Sequence, residues 1–495
     1  MMLRIVLVCL AALAGADVSS ASIDQTMGRP GGNADRLYTP VELRADFEQL
    51  YHGLQEAHFD LYAFTPKPRL DRLYAQQLTA LDRPLTRQQA RTRFELFAAA
   101  VRMGHTRVDS PDAAWLRYLQ SGGKSFPLPV RIVAGRVYVA QNLSGVEAIR
   151  PGEEILGLNG ESMSRWLERT DRHVSAETDY MAHSLMEYDF AQYLWVELGA
   201  VDGFDIRLRR AGSALQVHVP ARTQAQMESQ HARQPPVLDL ENPLRTARLL
   251  SEGVAYLRPG PFYNTEARTA AGEWDVSGFR QFIDHAFATF ATAHADRLII
   301  DLRGNPGGDN LFSDLMVAWF ASRPFRFASQ FRVKVSRESI AANDARMAHD
   351  AQAAGPISHR YADLYAHARI GEVVDFDIPE TVPRAGQRFT GKVFVLVDRQ
   401  TYSNAVAVAA LIQDYHFGVV LGEPTSDMAS TYGAMEQFTL HNTELMVGYP
   451  KARIIRPDGD TRPRGVTPDV LIDIPVVQAP DDLVLAQAVV IARRR

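Results

Sequence analysis

In the stretch "VFVLVDRQTYSNAVAVAALIQD" a serine stands between a buried strand and a helix. The apolar run closes at Val397-Asp398, a short turn carries Tyr402-Ser403-Asn404, and Ala405 to Asp414 read as a helix. Ser403 therefore falls at a helix N-terminus, where unpaired N–H groups and the positive end of the helix dipole favour negative charge. That setting suits a nucleophile whose reaction creates an oxyanion, with the Asn404 N–H as one donor. Serine is also a common helix N-cap, and taken alone the segment reads as a capped helix start. A second stretch, "RLIIDLRGNPGGDN" from Arg297 to Asn310, shifts that weighting. It too is an apolar strand that empties into a turn. Parallel strands end on the same edge of a sheet, which is where open α/β sheets place ligands. Gly307 and Gly308 have no Cβ to block close approach, so their N–H groups can supply the second oxyanion donor.

A serine nucleophile needs a base, most often histidine. Of fourteen histidines, His105 stands out: it lies between Gly104 and Thr106, directly after a helical segment, where the chain must expose it. By local sequence alone it also fits a surface loop. His58, in "EAHFDLY", reads as packing; His294 and His416 flank core strands and read as surface positions. No metal-ligand spacing of the His-Glu-x-x-His kind occurs, so no metal and no cofactor is expected.

The elements that position these residues are legible as patterns. Thr39-Pro40-Val41-Glu42 and Thr86 with Gln89 are capping boxes, and each precedes apolar residues at helical spacing. A helical domain over 39–120 is expected, carrying His105 near its end. From 121 to 222 the pattern turns β-rich: "VRIVAGRVYVAQNL" is a hairpin signal around Ala134-Gly135, and "PGEEILGLNG" gives turn, strand, turn. The polar, Gln-rich stretch 223–245 with Pro235-Pro236 reads as a linker. Over 246–495 strands alternate with helices, which predicts an α/β domain with crossover helices on its sheet.

Composition bounds the rest. The chain has 495 residues, 46% hydrophobic, and a net charge of −5, so no basic field points to nucleic acid. Met1 to Arg4 and the apolar run Ile5 to Ala14, followed by small residues at Ala14-Gly15-Ala16 and Ser20-Ala21, read as an export signal over 1–21, with a linker over 22–38. Cleavage there removes Cys9, the only cysteine, and with it any disulfide or cysteine chemistry. The expected location is periplasmic or secreted, with no stable membrane span after cleavage.

On these residues the chain resembles the tail-specific protease family, the serine peptidases related to C-terminal processing peptidases and the tricorn core. "EAHFDLY", "MGHTRVD", "PGEEILGLNG", "LIIDLRGNPGG", "TYSNA" and "RGVTPDV" resemble the family's motifs, in order. The resemblance implies a crossover-type, ClpP/crotonase-like protease domain behind an N-terminal helical domain and a small PDZ-like domain. It implies a peptide or protein substrate and Ser403 as nucleophile, with the oxyanion held by the Gly307-Gly308 turn and the Asn404 N–H. The Ser–Lys style of the family needs a lysine about two dozen residues after the serine; Lys451 is the first lysine after Ser403, so His105 is the implied base. The sequence departs from the pattern at Met103, Val406 and Arg462, the last falling where an orienting glutamate is expected. Asp460 is the nearest carboxylate and is taken as the third catalytic residue, with Asp427 and Glu436 as alternatives. A catalytically weak or inactive carrier on the same scaffold is the alternative function, and the PDZ-like module is expected to take peptide ends by strand addition. The oligomeric state is not readable.

Overall fold

Four apolar runs make a parallel core, and their near-continuous Val, Ile and Leu content is what strands covered on both faces require. The computed structural model describes residues 36–108, 112–235, 239–240, 244–250, 253–267, 271–349, 355–477 and 479–495. The central sheet runs Thr246–Leu249, Val254–Arg258, Arg297–Asp301, Lys392–Val397, Val419–Gly422, Val470–Leu471. The first pair is antiparallel and every later pair parallel. One face packs on helices Ser277–Thr292, Asn310–Val317 and Asn404–Asp414 through Phe279, Phe287, Phe312 and Val408. The other face is covered by Leu483–Arg494 through Val484, Leu485 and Ala488. This two-sided cover fixes both strand ends that carry the Gly-Gly and serine turns.

Both N-terminal capping boxes form, at Thr39–Glu42 and Thr86–Gln89, and start helices Pro40–Ala57 and Arg87–Ala99. These helices pack through Phe47, Phe94 and Phe97 on Leu440, Leu445, Val447 and Tyr449. Val447 and Tyr449 belong to a second, antiparallel sheet ordered Val373–Asp375, Gln330–Lys334, Met446–Ile455, Thr431–Thr439, and Leu440 and Leu445 to the turn between its last two strands. Its long strand also pairs with Arg107–Val108, two residues beyond His105. The β-rich region forms a third sheet, ordered Ser213–Pro220, Gly203–Arg210, Glu154–Leu158, Arg136–Val139, Val130–Val133. The Ala134-Gly135 hairpin closes with positive φ at both residues, as a tight two-residue turn demands. Helices Met163–Asp171 and Asp179–Leu198 cover this sheet.

One expectation is corrected. The stretch 223–245 opens with a helix, Gln224–His231, started by a Thr223–Gln226 capping box. Its glutamines are good helix formers, and polarity alone concealed the periodic signal. The export signal over 1–21 lies outside the described residues. Among the described residues no helix is long and apolar enough to cross a membrane.

Candidate active site

Two turns meet at the C-terminal edge of the central sheet. The first begins at Asp301, which is buried and accepts from Arg303 at 3.0 and 2.7 Å and from the Tyr256 hydroxyl at 2.8 Å. Arg303 also grips Asp482 at 3.0 and 2.6 Å. Burial pushes the Asp301 carboxyl up, but the Arg303 and Arg258 guanidiniums and the Tyr256 hydroxyl outweigh it, so the pKa is lowered. Asn305 then ties the first turn to the second. Its Nδ2 donates to the Gly260 carbonyl at 2.7 Å, its Oδ1 accepts the Gly307 N–H at 2.9 Å, and its carbonyl accepts the Tyr402 N–H at 2.9 Å.

The second turn places Ser403 at φ 52°, ψ −124°. A non-glycine residue held there costs about 1–3 kcal/mol and persists only where its surroundings enforce it. Three contacts do so. The Ser403 N–H donates to Asp427 Oδ2 at 2.6 Å. Thr401 Oγ1 donates to the Leu302 carbonyl at 2.8 Å. Gly307, at φ 92°, lies so close that a Cβ there would meet Ser403 Cβ at 2.8 Å and Asn404 N at 2.7 Å. The serine hydroxyl makes no N-cap hydrogen bond. Ser403 thus starts its helix without capping it, and the plain N-cap reading is set aside.

The Gly307 N–H is engaged by Asn305, so Gly307 shapes the turn and is not an oxyanion donor in this geometry. The N–H groups of Gly308 and Asn404 form no hydrogen bond among the described residues. Asn404 follows the serine and Gly308 follows Gly307, which packs against Ser403 Cβ, so both are uncommitted donors at this pair of turns. Gly308 is at φ 129°, with a Cβ position only 2.3 Å from the Phe262 carbonyl oxygen, a second place where only glycine fits.

His105 is buried, with its ring centroid 5.7 Å from that of Tyr402, the residue before the serine. Its segment is fixed on each side. Arg107–Val108 pairs with Val447 and Gly448, and the Val108 N–H donates to Glu95 at 2.9 Å. His58, expected as packing, is buried with Nε2 3.0 Å from Thr106 Oγ1. His105 Nδ1 is buried and has no partner among the described residues. Burial, followed by the Arg107 charge, lowers the His105 pKa to about 4. The imidazole is therefore neutral at neutral pH and able to accept a proton.

Asp460 does not join this group. Its carboxylate is held by Arg462 at 2.8 Å and Arg464 at 2.9 Å, and it makes no hydrogen bond to His105 or Ser403. The two arginines outcompete any more distant partner. Glu436 is likewise committed, to Arg346 at 2.6 and 2.8 Å and to buried Lys451 at 2.6 Å. The carboxyls near the serine turn are Asp427 and Glu177. Burial raises Asp427 to about 6, against the pull of the Ser403 and Met428 N–H groups. Glu177 comes from the β-rich region and accepts the Gly104 N–H at 3.2 Å. Burial and then the Asp427 charge raise it to about 8. No sequence signal marked Glu177, because its relation to the site is entirely tertiary.

The β-rich region is wired to the same turn by Arg399, which reaches Glu187 at 3.0 Å and Glu423 at 3.2 Å. Arg131 joins the same two carboxylates at 3.1 and 2.9 Å. The edge strand Val130–Val133 is consumed by this contact. Its Ile132 N–H donates to Glu187 at 2.7 Å and its Ile132 carbonyl accepts from Arg399 at 2.7 Å. Strand addition at this residue is closed by the chain's own side chains.

Residues 266–472 match the family model described as Peptidase family S41. Among solved structures, the chain is similar to mature CPAF complexed with lactacystin, at 15% identity and TM-score 0.62, covering 92% of this chain and 97% of that one. A second structure of mature CPAF aligns at 15% identity and TM-score 0.59, covering 87% and 92%. At such identity the likeness is one of fold. No curated protein matches the chain.

Proposed function

We propose that the chain is a serine-type peptidase of the kind described by the S41 family model that residues 266–472 match, with Ser403 as its nucleophile and His105 as its base. The observation that carries this reading is Ser403 itself: a strained backbone, an uncapped hydroxyl, and the uncommitted N–H groups of Gly308 and Asn404 beside it. In the proposed reaction, neutral His105 takes the Ser403 proton as Oγ attacks a peptide carbonyl. The Gly308 and Asn404 N–H groups receive the charge that forms on the carbonyl oxygen. The protonated imidazole then returns its proton to the leaving amine, and water, activated by the same base, releases the acyl group. The substrate class is peptide or protein.

Labelling with a fluorophosphonate tests the assignment. Ser403 should carry the label, and Ser403→Ala should lose peptide hydrolysis by at least about 10³-fold, as removal of a serine nucleophile does. Hydrolysis that survives in Ser403→Ala at wild-type rate would overturn it. We also propose that the chain is exported and cleaved after the 1–21 signal. The mass of the protein recovered from periplasm or medium should begin within a few residues of Ser22, and an intact Met1 in a cytosolic product would contradict this.

A further inference from the structure

Resting on that reading, we propose that Glu177 is a positioning residue for the peptidase reaction: it holds the backbone of the His105 segment while standing against Asp427, which holds the Ser403 N–H. The serine and histidine lie far apart in sequence, and among the described residues no hydrogen bond joins them directly. What relates their backbones is a pair of buried carboxyls, one holding each, with the Asp427 charge acting on Glu177. On one side Glu177 Oε2 accepts the Gly104 N–H at 3.2 Å, next to His105. On the other, Asp427 Oδ2 accepts the Ser403 N–H at 2.6 Å.

The strap that carries Glu177 is itself anchored to the histidine segment. Ser175 Oγ donates to the Met103 carbonyl at 2.6 Å, and the Met103 N–H lies 3.3 Å from the same oxygen. Thr178 then caps helix Asp179–Leu198, accepting the Met181 N–H at 3.1 Å. The helix end is thus nailed down one residue beyond Glu177. A Cβ on residue 104 would sit 2.4 Å from the Met181 methyl, 3.1 Å from the Tyr402 hydroxyl and 3.4 Å from Glu177 Oε2. Gly104 is therefore the point where the three segments close.

Glu177 is 6% exposed, and its second oxygen, Oε1, is buried without a partner. A buried ionised carboxylate with an empty oxygen is unfavourable, whereas a protonated one brings a donor to that position. The groups that act on it are Asp427, the Gly104 N–H and its own backbone N–H, with the Tyr402 hydroxyl close to Gly104. No cation pairs with it among the described residues: Arg102 reaches Asp179, and Arg107 acts on His105. Burial raises Asp427 to about 6, and burial followed by the Asp427 charge raises Glu177 to about 8, so Asp427 ionises first and Glu177 in a second step. Between them the pair holds one proton and one charge. Above the second step two like charges stand together, and the repulsion is relieved by moving Glu177 and the Gly104–His105 backbone with it. Catalysis falls because a displacement of about 1 Å costs on the order of 10²-fold in rate.

The test is the pH dependence of kcat on a quenched fluorescent peptide library, from pH 5.5 to 9.5, with the mature full chain. Wild type should lose kcat with an apparent pKa near 8, with KM changed less than threefold. Glu177→Ala should lower kcat at pH 7 at least tenfold. Glu177→Gln, which keeps a carbonyl for Gly104 and a donor for the empty side, should restore most of that loss and remove the alkaline limb. Ser175→Ala is the structural comparison: it should lower Tm while leaving the limb in place. If Glu177→Ala does not fold, the Glu177→Gln profile decides. A limb that survives in Glu177→Gln, or wild-type kcat in Glu177→Ala, overturns the inference. Activity retained in Ser403→Ala would sink the serine assignment instead, so the two failures are distinguishable.

Discussion

Asp301 and Glu177 are buried carboxyls in two regions that flank the serine turn, and their surroundings drive them in opposite directions. Asp301 meets Arg303, Arg258 and Tyr256, and its charge is stabilised despite complete burial. Glu177 meets the Gly104 N–H, its own N–H and another carboxyl, with no cation to offset burial, and its charge is suppressed. Burial is common to both; the supply of donors differs. The turn after Arg297–Asp301 has nearly every polar group satisfied and serves as a rigid floor. The Ser175–Glu177 strap leaves one oxygen empty, and that is where a change of protonation can alter geometry.

The largest expected effect breaks the floor. Asp301→Ala leaves the Arg303 guanidinium with Asp482 alone, and removing one partner of a buried pair costs about 3–5 kcal/mol. Chemical denaturation should show that loss, and a change under about 1 kcal/mol would mean the floor is not held by this ion pair. Next comes Gly307→Ala. Its methyl would press on Ser403 Cβ and Asn404 N at 2.8 and 2.7 Å, so kcat should fall by roughly 10²-fold, the scale of a 1 Å misplacement. A circular dichroism melt alongside would separate loss of fold from loss of alignment.

The strap sharpens the comparison through pH. The folded Glu177 keeps its proton up to about 8, while an unfolded glutamate releases it near 4.5. The stability it contributes is therefore fully present below pH 4.5 and is lost as pH rises through about 8. Glu177→Gln should gain stability relative to wild type across that window; a constant difference between pH 5 and pH 9 would contradict the assignment. His105 works in the other direction. Its folded pKa of about 4 lies below the unfolded value of 6.5, so its contribution is present above pH 6.5 and is lost as pH falls toward 4. The acid limb of kcat/KM should lie near 4 rather than near 6.5, and Arg107→Ala should move it upward by a fraction of a unit. The smallest effect is Ser175→Ala, which removes one hydrogen bond and should lower stability by about 1 kcal/mol.

The sequence carried what is local. Thr39–Glu42 and Thr86–Gln89 are four-residue signals, and both form as written. The Val-, Ile- and Leu-rich strands, the Ala134-Gly135 hairpin and the two glycines under Ser403 are equally local, because strand composition and positive φ are properties of short segments. What escaped is the partner geometry. Asp460 was the nearest carboxylate along the chain, yet Arg462 and Arg464, two and four residues on, hold it where it is. Gly307 was expected to face the oxyanion, but Asn305, two residues earlier, takes its N–H. Helix Asp179–Leu198 has buried residues on several faces, including Ser184 and Gln192, so it shows no clean apolar stripe to read. The second sheet brings Met446–Ile455 to Arg107–Val108 across most of the chain, a pairing that no local pattern encodes.

That last pairing has a consequence for timing. The segment that carries His105 is made well before the strand that seats it, Met446–Ile455. Until then the histidine segment has no neighbouring strand to fix its register. A site that uses His105 is therefore complete only once Met446–Ile455 has been made and paired with Arg107–Val108.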